Sequence, residues 1–249
     1  MLNILVSGAK GFIGKNLLKK LDSKDFNILE FNRTDTLEKL EEQIIQSDLI
    51  VHLAGEVRPN STNDDFKNSN TLLTQNIIEI INKNNKKIPI LMASTIHTKL
   101  LKNEYGKTKR EAEILIEKYS EDTNVQNYIY VLPHVFGERC KPNYNSVIST
   151  WIYNSIHGLE INCFDRSFEM HYVYVQDIVD DFISIIKNQT LQDIYIQPKK
   201  VYETTLGEVV DFLTEFKQNI KVQYYKPKGS EFKEKLYKTY LDYYRSSNV

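Results

Sequence analysis

A chain of 249 residues with 41% hydrophobic residues is long enough for one large α/β unit, or for an α/β core with a small lobe. A net charge of −1 excludes general attraction to nucleic acid or to an anionic membrane as the organising principle. Two cysteines, Cys140 and Cys163, make no disulfide framework and suit a reducing, cytoplasmic setting; Met1-Leu2-Asn3 lacks the basic start of a secretory leader, and no apolar run is long enough to cross a bilayer.

The first element is an apolar strand over 2–6, free of charge as a strand buried on both faces should be. Ser7-Gly8-Ala9-Lys10-Gly11-Phe12-Ile13-Gly14 follows at once, and 16–21 reads as an amphipathic helix. Strand, glycine turn and helix together make a dinucleotide-binding signature. Gly8 allows the sharp turn, Gly11 removes a side chain where a pyrophosphate would approach, and Gly14 lets helix and strand pack closely. Lys10, Phe12 and Ile13 belong to the same expected cradle, whose helix N-terminus turns its N–H groups to the phosphates. The spacing is Gly-x-x-Gly-x-x-Gly rather than the Gly-x-Gly-x-x-Gly of ordinary dehydrogenases.

A second strand, 26–32, ends in Asn32-Arg33-Thr34. An NAD site usually carries an acid here, whereas a cation among small polar groups suits a 2′-phosphate, so NADP is the expected cofactor. The alternative is a solvated arginine, with Glu30 and Asp35 nearby. A polar helix at 36–46 precedes a buried strand at 48–54, where Leu53, Ala54 and Gly55 would let the cofactor lie against the backbone. His52 reads as a satisfied core histidine rather than a catalyst. The helix 65–82 carries Asn70, which is either exposed or anchors a water or backbone group beside the cofactor. A strand at 88–93 runs into Ser94-Thr95, and a helix at 104–119 and a strand at 128–132 follow. This alternation predicts α/β architecture with a doubly wound parallel (Rossmann) sheet.

Beyond Pro133, itself a candidate cofactor contact, the rhythm changes. The stretch 134–146 reads as irregular. Helices are expected at 147–156, 177–187, 205–217 (capped by Thr204 or Thr205) and 231–244, with a strand at 170–175. The expected organisation is a dinucleotide-binding core over 1–137 with a return at 170–190, and an interleaved substrate-binding lobe within 138–249 that closes over the carboxyl edge of the sheet.

Tyr105 and Lys109 stand four apart at the start of a helix and so share one face. A phenol ionises near ~10, and an adjacent ammonium is expected to lower that value so that the phenol exchanges a proton with a carbonyl oxygen as hydride moves. Thr95 would hold the substrate oxygen, with Ser94 as its neighbour, and Lys109 would also bond the nicotinamide ribose.

This combination resembles the extended short-chain dehydrogenase/reductase family in its nucleotide-sugar branch. Gly8, Gly11, Gly14, the His52-Leu53-Ala54-Gly55 strand end, Thr95 and the Tyr105/Lys109 pair carry the likeness. Family members bind NAD(P) in the N-terminal domain and a nucleotide sugar under the C-terminal lobe. A narrower likeness, to the reductase half of the CapF family of capsule enzymes, rests on 8–17, 51–55, 140–148, 205–211 and 237–241. It implies NADPH-dependent reduction of the 4-keto group of a UDP-2-acetamido-2,6-dideoxy sugar, toward UDP-N-acetyl-L-fucosamine. In that family a cupin domain carries the C3 epimerisation. The 249 residues end where the reductase half would, so a separate cupin-type epimerase, or a longer chain, is expected to supply that step.

Val131 and His134 replace the Arg and Asn of the family's Arg-x-Pro-Asn pattern, which changes the donor available to the nucleotide sugar. His134, Lys141, Asn143, Asn145 and Arg166 are the candidates for diphosphate and sugar contacts, together with Ser94 and Thr95. Cys140 reads as an inert thiol, the alternative being an epimerising pair with His134 or His171. No metal site is expected. Ile96-His97 after Thr95 supplies no carboxylates, which disfavours a 4,6-dehydratase. An NAD-dependent 4-epimerase and a non-catalytic nucleotide-binding protein on the same fold are the alternatives. The helices 65–82 and 104–119 are expected to pair in a homodimer.

Overall fold

The computed structural model describes residues 1–21, 24–188, 192–223 and 225–247. The chain divides into one unit of Met1–Leu132 with Val179–Pro198 and another of Pro133–Ile178 with Lys199–Val249. In the first unit the apolar runs become β1 (Leu2–Ser7), β2 (Phe26–Phe31), β3 (Leu49–His52), β4 (Ile90–Thr95) and β5 (Tyr128–Leu132), joined at the edge by a short β8 (Tyr195–Ile196). All pair in parallel, in the order β2-β1-β3-β4-β5-β8. The chain steps one way from β1 to β2 and the other way from β3 onward. Right-handed crossovers therefore place α1 (Phe12–Lys20) on one face, and α2 (Leu37–Gln46), α4 (Leu73–Lys83) and α5 (Glu104–Thr123) on the other.

Both faces are buried, which is why the strands read as uncharged runs rather than alternating ones. Leu5, Ile50, Ile90, Met92 and Ile129 pack against Leu40, Ile44, Ile77, Ile81, Ala112 and Ile116 on the face of α2, α4 and α5. On the other face the ring of Tyr130 meets Phe182 edge-on at 5.0 Å, and its hydroxyl donates to Asp181 at 2.5 Å. Phe182 and Asp181 lie on α7 (Val175–Asn188), within which the unit boundary falls.

The second unit has its own sheet, with β6 (His134–Phe136) parallel to β7 (Glu169–Tyr174) and β9 (Tyr202–Thr205) antiparallel to β7. Its core is aromatic: Phe136, Trp151, Tyr172, Tyr174, Phe216, Phe232 and Tyr240 pack with aliphatic residues of α6 (Val147–His157), α8 (Leu206–Asn219) and α9 (Glu231–Ser247). The Lys235 ammonium is satisfied within it by Asp177 at 2.6 Å and by the faces of Tyr174 and Tyr202 at 4.9 and 5.4 Å.

Several sequence expectations need correction. The stretch 134–146 is not wholly irregular, because His134–Phe136 pairs with β7. Strand 170–175 does not return to the first sheet; β7 finds its partners in the second, and the chain rejoins the first unit only at Val179. The first unit also ends at Leu132 rather than at 137. Two strands, β8 and β9, were too short or too polar to be read as apolar runs. The helix expected at 65–82 starts earlier, as α3 (Asn63–Phe66), and passes through a π-helical stretch at Lys67–Leu72 before α4. Residues 189 and 190 of the expected 170–190 return lie outside the described residues.

The glycine turn leaves no room for side chains at Gly8 and Gly14. Gly8 has φ +73°, and a Cβ there would stand 2.7 Å from the Ala54 nitrogen. A Cβ on Gly14 would stand 2.4 Å from the Gly8 carbonyl oxygen and 2.6 Å from that of Ala9, all of it backbone. Gly14→Ala is therefore expected to destabilise the protein by about 3 kcal/mol, read as a lowered urea midpoint. An unchanged midpoint would show that α1 can move away from β1 at little cost.

Candidate active site

Helix α1 begins at Gly11 with no side-chain cap and no acid in its first turn. By contrast α2, α3, α5, α6 and α8 are capped by Thr36, Thr62, Asn103, Ser146 and Thr205. The leading N–H groups of α1 are thus left to an anion rather than to the chain's own side chains. Around them, the Lys10 N–H donates to Asn32 Oδ1 at 2.9 Å, which ties the tip of β2 to the turn. Lys10 contributes its backbone here. The uncapped helix start, the missing side chain at Gly11 and the close approach of Ala54 to Gly8 fit the pyrophosphate of a dinucleotide.

Arg33, at the tip of β2, has 65% of its side chain exposed and pairs with Glu56 at 3.3 Å and Asp65 at 3.6 Å. Glu56 follows the Leu53-Ala54-Gly55 segment and is only 3% exposed. Burial alone would raise its carboxyl. The Arg58 guanidinium and the N–H groups of Arg58 and Val57 outweigh that and hold it at about 2.

His52 is core, and its imidazole is satisfied at both nitrogens. Nδ1 lies 2.6 Å from Ser7 Oγ, and Nε2 lies 3.0 Å from Thr74 Oγ1. Thr74 spends its proton on the Asn70 carbonyl, so Nε2 donates and Nδ1 accepts. Burial, helped by the charge of Lys109, pushes the imidazole down to about 3, so it is neutral at physiological pH. Asn70, in the π-helical stretch, is buried and not a surface residue. Its Oδ1 accepts from the Glu56 N–H at 2.9 Å, and its Nδ2 donates to the Glu56 carbonyl at 3.3 Å and to Thr108 Oγ1 at 3.1 Å. It anchors backbone, one of the two roles its sequence position suggested.

The parallel pairing of β4 with β3 and β5 brings Ser94 and Thr95 to the carboxyl edge of the sheet. Thr95 accepts from the His97 N–H at 3.3 Å and lies near enough to the Tyr105 hydroxyl to favour its ionised form. Tyr105, on the first turn of α5, is half-buried between the rings of Phe66 and His97, with centroids 6.2 and 6.0 Å away. Lys109, one turn on, is 6% exposed and donates to the Ala93 carbonyl at 2.6 Å. Against the expected lowering of the phenol, burial pushes Tyr105 up to about 12, with a smaller opposing effect of Thr95. Burial also pushes Lys109 down to about 8, opposed by Glu113.

Glu113 was missed in the sequence, although it stands one helical turn beyond Lys109 on the same face. It is buried, accepts from the Ser94 hydroxyl, and pairs with Arg110 at 3.0 Å. Glu56 and Arg58 were missed too, and no periodicity could have flagged them in a loop.

In the second unit, Lys141, Asn143 and Asn145 share the turn before α6. Lys141 lies 5.8 Å from the Tyr144 ring centroid, and the Asn143 N–H donates to Thr150 Oγ1. His134 opens β6, exposed, with its ring 6.0 Å from Tyr172. Arg166 is not grouped with them: it donates to Asp211 at 2.7 Å and to the Gly207 carbonyl at 3.3 Å, fastening its loop to α8. Burial raises the Cys140 thiol above its ordinary value, as an inert thiol requires.

Residues 4–196 match the family model described as the NAD dependent epimerase/dehydratase family. Over 243 residues the chain is 34% identical to UDP-2-acetamido-2,6-beta-L-arabino-hexul-4-ose reductase of Pseudomonas aeruginosa, covering 97% of this chain and 65% of that protein. The chain thus spans about two thirds of the length of that relative. Among solved structures it is similar to the capsular polysaccharide assembling protein CapF from Staphylococcus aureus, with TM-score 0.87 and 38% identity over all of this chain and 67% of that one. UDP-glucose 4-epimerase from Thermotoga maritima, at 18% identity, shares the fold with TM-score 0.81 over the full length of both chains. On the family match and on the reductase relative, this chain belongs to the NAD dependent epimerase/dehydratase family.

Proposed function

We propose that this chain is an NADPH-dependent reductase of the C4 keto group of a UDP-2-acetamido-2,6-dideoxy sugar, acting in N-acetyl-L-fucosamine-type precursor synthesis for capsule or O-antigen. The observation that carries the reading is the Thr95–Tyr105 hydroxyl pair beside the buried Lys109, at the carboxyl edge of a dinucleotide-type sheet. The reductase named among its relatives supports the substrate class. Arg33 at the β2 tip supports NADP over NAD.

NADPH, when bound, supplies the hydride that C4 receives. Tyr105 gives its phenolic proton to O4 as the carbonyl becomes an alcohol. Raised by burial to about 12, the phenol keeps its proton at neutral pH. Thr95 orients O4 through the hydroxyl that already meets Tyr105. Lys109 steadies the phenolate left behind and holds a ribose hydroxyl, and Glu113 favours its charged form. We assign His134, Lys141, Asn143 and Asn145 to the sugar nucleotide, and Arg166 to the fold of the second unit, because Asp211 and Gly207 already engage it. A cytoplasmic homodimer working with a cupin-type epimerase, on a separate protein or on a longer chain, completes the reading.

Tyr105→Phe is expected to lower turnover of NADPH with a 4-keto UDP-sugar by about 100-fold or more, while NADPH affinity stays within about twofold. Full-rate turnover by the variant would sink the mechanism. The buried Lys109 makes a second prediction. Between pH 8 and 10.5 the unfolded lysine keeps a proton that the native one has lost, so Lys109 contributes a rise of stability with pH across that window. Below it, native and unfolded forms are both charged, and the native one bears the burial cost. Lys109→Met should abolish this rise and leave the protein at least as stable at neutral pH, while removing turnover. Urea midpoints taken at either end of the window read the first effect, and an unaltered rise in the variant would show that another group titrates.

A further inference from the structure

Two guanidiniums converge on one buried carboxylate at the edge of the sheet that carries the glycine turn. Glu56 Oε2 accepts from Arg33 at 3.3 Å and from Arg58 Nη2 at 2.6 Å, while Oε1 accepts from Arg58 Nε at 2.9 Å. We propose that Arg58 and Arg33 form a two-arginine clamp for the ribose 2′-phosphate of NADP(H), and that Glu56 is the positioning residue that holds the pair together. This rests on the reading of the chain as an NADPH enzyme, and adds to it a second phosphate-binding residue and the device that orients both.

The placement comes from three elements. Arg33 lies at the tip of β2, which Asn32 ties to the Lys10 N–H in the glycine turn. Arg58 lies in the loop after β3, on the other side of β1 in the sheet order. The Arg33–Glu56 contact therefore bridges the carboxyl end of β1, where open α/β sheets bind their ligands. Glu56 itself cannot drift, because Asn70 bonds both its N–H and its carbonyl.

The chemistry favours a phosphate over a ribose hydroxyl. Glu56 grips Arg58 through the Nε/Nη2 edge, which sets the plane of that guanidinium. The two arginine side chains keep 65% and 39% of their surface in solvent, against 2% for the carboxylate side chain that holds them. The cations thus face the solvent side and the carboxylate the protein side. A neutral hydroxyl needs no second cation, whereas a phosphate dianion is well matched by two forked guanidiniums. Asp65, at 3.6 Å from Arg33 and part-exposed, is a weak competitor that such a dianion would displace.

Calorimetric titration of the whole chain with NADPH, NADH, 2′,5′-ADP, 5′-AMP and inorganic phosphate tests this. Arg58→Ala should weaken NADPH and 2′,5′-ADP by about tenfold or more, and NADH and 5′-AMP by less than about twofold. Arg33→Ala should behave likewise. Arg58→Lys keeps the charge without the fork, and should fall between wild type and Arg58→Ala; it carries the test if the alanine variant does not fold. Equal losses for NADPH and NADH, or no loss for NADPH, would overturn the clamp. So would wild-type binding of inorganic phosphate as tight as that of 2′,5′-ADP, which would mark a plain anion site. If Arg58→Ala loses NADPH selectivity but wild type reduces no keto sugar nucleotide, the clamp stands and the reductase reading falls.

Discussion

The close contact between the glycine turn and the end of β3 is the constraint on which the site depends. Nothing larger than hydrogen can stand at Gly8, with Ala54 against it, or at Gly14, with the carbonyls of Gly8 and Ala9 against it. From that contact a relay of neutral hydrogen bonds runs through the first unit. The Ala54 N–H donates to Ser7, Ser7 to His52, His52 to Thr74, and Thr74 to the Asn70 carbonyl. Asn70 then reaches Thr108, whose hydroxyl donates to the carbonyls of Glu104 and Tyr105. The turn that would hold the pyrophosphate and the helix start that carries Tyr105 are thus joined by one chain of satisfied polar groups. Such a network rigidifies only while every member is paired, and a protonated His52 would leave Nδ1 without an acceptor role. Burial keeps it neutral.

Charge is handled differently at the two ends of this network. Glu56 and Glu113 are both buried carboxylates, and each is compensated by arginine and by further donors: Arg58 and backbone N–H groups for Glu56, Arg110, Ser94 and Tyr195 for Glu113. Lys109 has less compensation, with the Ala93 carbonyl as its hydrogen-bond acceptor and Glu113 as its favourable field, and its affinity for a proton falls accordingly. A buried lysine with little compensation and a phenol raised by burial are costly for folding and useful for proton transfer, since perturbed groups of this kind concentrate where chemistry is done.

Much of this was legible beforehand, for reasons that differ by residue. Buried parallel strands must be uncharged runs, so β1, β3, β4 and β5 announce themselves, and Gly8 and Gly14 sit where backbone approaches backbone. Tyr105 and Lys109 are one helical turn apart, and helical spacing survives folding. The direction of the Lys109 ammonium was not legible, because it depends on which carbonyl of β4 the helix packs beside. Nor could the sequence separate Arg166, bound to α8, from the other polar residues of its lobe, since Asp211 lies 45 residues away along the chain.

What the sequence determined by itself is local: strand, turn and helix at the start, the alternation that makes a parallel sheet, and the spacing of the pairs on α5. These follow from backbone preference and from the periodicity of burial, which neighbouring residues suffice to set. Only the tertiary structure decided that Glu56 gathers Arg33 and Arg58, that Asn70 locks Glu56 in place, and that the strands near 134, 170 and 203 form a sheet of their own. Those outcomes turn on which distant groups share a low-dielectric space, and the strength of a hydrogen bond or an ion pair depends on that space rather than on position along the chain.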